Sequence, residues 1–96
     1  MMRWMSDLRS ARITDHARLA MARREITAAQ VRQVLRAPQA VVSGNRPGRE
    51  VAQGTVTLGD PPQRVLLRVV VEVGQGPPEV VTVYATTQFR RYGAKP

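Results

Sequence analysis

The chain has no cysteine and a single histidine, His16. Without cysteine there is neither a disulfide framework nor a thiolate zinc site, and one histidine with 7 scattered acidic residues does not make a transition-metal cage. The residues therefore call for no metal and no cofactor, and any catalysis is expected to be metal-independent. No apolar run approaches the roughly 20 residues of a membrane span. The stretch from Met1 to Arg12 also lacks the apolar core of a secretory signal. It carries arginines but includes Asp7, and reads as a short basic N-terminus rather than an organelle transit peptide. A soluble, cytoplasmic protein without a membrane partner is expected. Phosphate loops, dinucleotide fingerprints and Ser–His–Asp spacings are missing, as are internal repeats and low-complexity tracts.

What the chain has in excess is positive charge. Lys and Arg total 15 against 7 Asp and Glu, a net charge of +8, and every base except Lys95 is arginine. Arginine's planar fork suits phosphates and guanine edges, so a polyanion, RNA first, is the natural partner. Any single arginine reads equally well as solvated surface charge. The net sign is the firmer signal. The 96 residues make one domain that buries about 60–65% of its unfolded surface. Its expected bounds are 13–92, after an N-terminal segment 1–12 and before a short tail 93–96.

Thr14 is a good N-cap and Asp15 complements the helix dipole, which predicts a helix from about Thr14 to Arg24. Its apolar stripe runs through Ala17, Ala20 and Met21, with Leu19 at its edge. Thr27 and Gln30 have capping-box spacing, and Ile26 and Val31 the spacing of a hydrophobic staple, predicting a second helix from about Thr27 to Arg36. Its core side is Val31, Val34 and Leu35, and Pro38 disfavours helix at the residue before it. Beyond Pro38 the apolar period shortens to two. Strands are expected at Val41-Val42, Arg49 to Leu58, Arg64 to Val73 and Glu79 to Thr86, joined by turn-rich segments.

The fold expected is α+β, with two N-terminal helices packed on a three- to four-stranded antiparallel sheet. Val65, Leu67, Val69, Val71 and Val73 share the core face of the third of these strands. Arg64 and Arg68 share the other face, where their head groups could converge on one phosphate path; ordinary solvent-face charge is the plainer reading. In the last strand Val81, Val83 and Ala85 form one face and Val80, Thr82, Tyr84 and Thr86 the other, which puts the Tyr84 hydroxyl where Arg68 could meet it. The tail Gln88-Phe89-Arg90-Arg91-Tyr92 interleaves rings with arginines, a composition that stacks bases and contacts phosphates, or that packs a sheet edge.

Metal-independent cleavage of RNA needs a group to take the 2′-hydroxyl proton, a group to protonate the leaving oxygen, and fixed positive charge at the phosphoryl oxygens. His16, Tyr84 and Arg68 are the candidate catalytic residues. Arg64, Arg90 and Arg91 are candidate RNA contacts, as is Arg49 at the end of the basic hairpin loop that starts at Gly44. A lone histidine at a helix start is also a common capping or packing residue.

Thr14-Asp15-His16-Ala17, Met21, Arg24, Ile26-Thr27, Val31, Val34-Leu35, Pro38, Gly48-Arg49, Leu67-Arg68-Val69-Val70 and Val81-Thr82-Val83-Tyr84 together resemble the family of domain of unknown function 4258, a relative of the RelE-like toxins. The resemblance covers about Ile13 to Tyr92. It implies a helix-packed antiparallel sheet of the RelE type. It also implies the activity of toxins that cut messenger RNA, on the ribosome or off it, until a small acidic antitoxin protein binds them. By position it carries His16 and Arg24 over to the helix motif, Arg49 to the hairpin, Arg68 to the third strand and Tyr84 to the last, and makes Arg24, with Arg49 and Arg68, a candidate RNA phosphate contact. The chain departs from the family at Ala20, where an arginine is usual, and Arg23 lies on a different side of the helix. The leading expectation is thus a toxin-type endoribonuclease. Its alternatives are a non-catalytic basic module that binds nucleic acid or a partner, and a scaffold subunit whose strand edge a partner peptide completes.

Overall fold

The computed structural model describes residues 7–95, so of the expected N-terminal segment 1–12 residues 1–6 lie outside the described residues. A 3-10 turn at Leu8–Ser10 leads into a short strand β1 (Arg12–Ile13) and the helices α1 (Asp15–Arg24) and α2 (Ala28–Arg36). Four strands follow, β2 (Ala40–Ser43), β3 (Arg49–Leu58), β4 (Gln63–Glu72) and β5 (Glu79–Thr86), and a last 3-10 turn covers Arg90–Tyr92.

Both helices start where their caps predict. Thr14 Oγ1 accepts from the Ala17 N–H at 3.1 Å and donates to the Val80 carbonyl at 2.8 Å, so one hydroxyl caps α1 and fastens it to β5. The capping box of α2 is complete, with Gln30 N–H donating to Thr27 Oγ1 at 3.1 Å and Thr27 N–H to Gln30 Oε1 at 2.9 Å. Between the helices Glu25 turns the chain in a left-handed conformation (φ 58°), and the Ile26 N–H reaches back to the Met21 carbonyl at 2.9 Å. Ala17, Ala20 and Met21 are buried, but Leu19 is 57% exposed. At about 100° per residue, Leu19 lies some 200° from both Ala17 and Met21, on the opposite side of the helix.

The sheet has five strands in the order β1-β5-β4-β3-β2 and is mixed, because β1 runs parallel to β5 while the other neighbours are antiparallel. This corrects the expected three- to four-stranded antiparallel sheet. Two residues are too few to show a period of two, so β1 is invisible as a pattern. It is held by bonds from Arg12 N–H to the Pro78 carbonyl and Thr14 N–H to the Val80 carbonyl, both 3.1 Å, and by the Arg12–Glu79 ion pair at 2.6 Å.

The helices lie on the face carrying Val65, Leu67, Val69 and Val71, which join Val31, Val34, Leu35 and Met21 in one apolar core. Gly54 lets α2 approach closely, since a Cβ there would stand 3.4 Å from Val34. The alternation expected in β5 fails at its start. Val71 pairs with Val80 and Val70 with Thr82, so Val81 is an extra, bulged residue and both Val80 and Val83 are buried in the core. Val80 therefore belongs to the helix-covered face, while Thr82, Tyr84 and Thr86 keep the opposite one.

Candidate functional site

Across the face opposite the helices, Gln53 on β3, Arg68 on β4 and Tyr84 on β5 stand side by side in register. Arg68 Nε donates to Gln53 Oε1 at 3.0 Å, and Arg68 Nη1 donates to the Tyr84 hydroxyl. The C-terminal segment folds back over this row. Gln53 Nε2 donates to the Tyr92 carbonyl at 2.9 Å, and the guanidinium carbon of Arg68 lies 3.9 Å from the centre of the Tyr92 ring. Phe89, at the start of the segment, is buried.

Arg68 is only 8% exposed, yet among the described residues it pairs with no carboxylate. Burying a cation without a counter-charge is costly, and here neutral acceptors and an aromatic face offset part of that cost. No buried side-chain nitrogen or oxygen of the described residues lacks a partner. Nη2 of Arg68 has no hydrogen-bond partner among the described residues. Arg68 lines a depression of about 370 Å³ whose walls include Ser43, Asn45, Arg49, Thr82 and Tyr84. Tyr84 accepts from Arg68, which leaves its own O–H free to donate into the same space. A fixed cation, a hydroxyl donor and small polar groups around a concave space are what an oxyanion needs.

The walls are set by the β2–β3 loop. Gly44 N–H donates to the Arg49 carbonyl at 2.8 Å, and a Cβ on Gly44 would stand 2.7 Å from that of Arg49. Gly48 has φ 83°, which favours glycine, and its carbonyl accepts from the Val73 N–H at 2.7 Å, tying this loop to the end of β4. Arg49 itself is engaged, since its Nε donates to Glu72 Oε1 at 2.9 Å. That hydrogen bond holds the Glu72 carboxyl below its ordinary value, with help from the Gly74 N–H and the charges of Arg49 and Arg46.

The sequence-predicted residues separate into two groups. Arg68 and Tyr84 are bonded to each other, and Arg49 lines the same depression. Arg64 lies on the same face but is exposed and lines a different depression. Arg90 and Arg91 are exposed on the last 3-10 turn, with Arg91 held by Gln88 at 3.1 Å and 5.6 Å from the Tyr92 ring. His16 and Arg24 belong to α1, in the helical layer on the other side of the sheet; His16 is exposed and Arg24 donates to the Ala20 carbonyl at 3.4 Å. Sequence reasoning missed Gln53, and missed that Tyr92 faces Arg68. Strand alternation gives no signal for Gln53, because the pleat turns it to the face away from the helices, beside Arg68, and it is buried there where the C-terminal segment meets it.

Residues 13–85 match the family described as Domain of unknown function (DUF4258). The chain belongs to this family. The match to DUF4258 contains both helices and all but the last residue of β5, hence Gln53, Arg68 and Tyr84, and stops short of the segment bearing Phe89 and Tyr92. No curated protein and no solved structure matches the chain. No helix of the described residues is long and apolar enough to cross a membrane.

Proposed function

We propose that this DUF4258 domain binds single-stranded RNA by its backbone at the Arg68 depression and cuts it, as a RelE-like toxin restrained by a small acidic partner protein. The observation that carries the proposal is the buried guanidinium of Arg68, held by Gln53, Tyr84 and Tyr92, lining a depression and paired with no carboxylate among the described residues. In the reaction the 2′-oxygen attacks phosphorus as its proton passes to solvent. The bond from phosphorus to the 5′-oxygen breaks, leaving a 2′,3′-cyclic phosphate and a 5′-hydroxyl. Arg68 neutralises the phosphoryl oxygens and Tyr84 gives its proton to the departing oxygen, taking one back from solvent after the product leaves. In this reading His16, on the helical side of the sheet, is given no role.

A second reading, a module that binds RNA without cutting it, is favoured by one observation: neither the histidine nor an acidic residue lines the depression, so no side chain there is a strong base. Incubation of the protein with labelled single-stranded RNA separates the two. Cleavage predicts cyclic-phosphate ends, a rate loss on the order of 10²–10⁴ for Tyr84→Phe with binding retained, and loss of both in Arg68→Met. Binding that weakens with salt but yields no product supports the module. Absence of binding removes both readings.

A further inference from the structure

The C-terminal segment divides the sheet face. On one side of Tyr92 lies the Arg68 depression; on the other a second depression, of about 380 Å³, is lined by Gln39, Thr55, Arg64 and Lys95 and floored by Gln53. Gln53 is common to both arrangements, because its amide fastens the strap at the Tyr92 carbonyl and its oxygen holds Arg68. Arg64 and Lys95 are exposed, and neither is in an ion pair among the described residues. The acids of this face, Glu72 and Glu79, are paired with each other in register at the far end of β4, and each is bound to its own arginine, Arg49 and Arg12. No acid lines the second depression.

We infer that the second depression is a second phosphate position, and that the ligand is a single RNA strand of at least three nucleotides rather than a mononucleotide or a duplex. The inference rests on the RNA reading of the Arg68 depression and extends it. Arg64 and Arg68 are four residues apart on one strand, so their Cα atoms are separated by about 13 Å, farther than one phosphodiester group reaches. The strap between the two depressions is a ridge that a flexible single strand can pass over and a rigid duplex cannot follow on both sides. The second depression contains no aromatic side chain, and its amide and hydroxyl groups suit sugar and phosphate oxygens, so it holds backbone and reads no base.

The test is a length series of uncleavable 2′-O-methyl oligonucleotides, from a dinucleotide with one phosphate to a hexanucleotide, titrated against the wild type and an Arg64→Ala, Lys95→Ala double variant. Both residues are exposed, so the fold is retained. The wild type is expected to gain at least tenfold in affinity between two and four nucleotides, with a steeper salt dependence. The double variant is expected to keep the dinucleotide affinity, lose the gain, and lower the salt slope by about 0.7 per phosphate no longer neutralised. A gain that persists in the double variant, or a wild type without one, overturns the second position. A DNA duplex that competes as well as the single strand overturns the strand requirement. Failure of the wild type to bind even the dinucleotide, in the range where the hexanucleotide binds, places the contact away from Arg68 and overturns the underlying reading.

Discussion

Gln53→Glu changes one atom of the side chain and removes the property on which RNA binding is argued to depend. Gln53 is 1% exposed and its oxygen is 3.0 Å from Arg68 Nε, so the substitution gives the buried guanidinium the carboxylate it lacks among the described residues. The Arg68 hydrogen bond survives as an ion pair, and the Tyr92 carbonyl, losing its donor, belongs to a half-buried residue within reach of water. The variant is therefore expected to fold. A phosphate seated beyond the guanidinium would stand roughly 6 Å from the new charge, and at an effective dielectric near 20 the repulsion is about 3 kcal/mol. That corresponds to an affinity loss on the order of a hundredfold. Fluorescence anisotropy with an uncleavable single-stranded RNA at fixed salt measures it, beside thermal unfolding as a check of the fold. Gln53→Leu is the contrasting variant. It adds no charge but leaves Arg68 Nε without its acceptor, costing about 1–3 kcal/mol of stability with a smaller loss of affinity. A folded Gln53→Glu protein that binds within threefold of the wild type would refute Arg68 as the anion contact.

His16→Ala is expected to leave RNA binding and product formation unchanged, because α1 lies on the other side of the sheet; a tenfold loss of cleavage at equal binding would move the chemistry to the start of that helix. Thr27→Ala breaks the capping box of α2 and should lower stability by about 1 kcal/mol, read as a shifted urea midpoint at unchanged slope. An unshifted midpoint would mean the box is not stabilising. The Glu72 carboxyl is held below its ordinary value of 4.5, first by its hydrogen bond from Arg49. A carboxylate depressed on folding stabilises the protein above its unfolded value, and that contribution is lost as pH falls through the folded one. The stability difference between wild type and Glu72→Gln should thus be present at pH 7 and shrink as pH falls below 4.5 through the lowered folded value. A difference independent of pH would show that the ion pair is not its source.

The helices were legible because their signals are local. Thr14, Thr27 and Gln30 each act within four residues of themselves, and the structure has those caps. The division of β4 into a valine-rich core face and a face bearing Arg64 and Arg68 was legible too, because strand alternation is a property of the strand itself. Register between strands is not. That Gln53, Arg68 and Tyr84 stand in one row depends on the lengths of two hairpins and on the bulge at Val81, and the same bulge moved Val80 into the core. The parallel strand β1 depends on a contact spanning most of the chain. The pairing of Arg68 with Tyr92 depends on the C-terminal segment folding back, for which the alternation of rings and arginines gave only a composition. The net charge gave only the expectation of a polyanionic partner, and the fold adds one buried arginine with no acid beside it among the described residues.

The most direct measurement is an amide chemical-shift map of isotope-labelled protein titrated with an uncleavable single-stranded tetranucleotide. The account predicts shifts along Gln53, Arg68, Tyr84 and Tyr92, with Arg64 joining them, and an undisturbed α1. Shifts concentrated at His16, Leu19 and Arg24, with the sheet face unchanged, would contradict it.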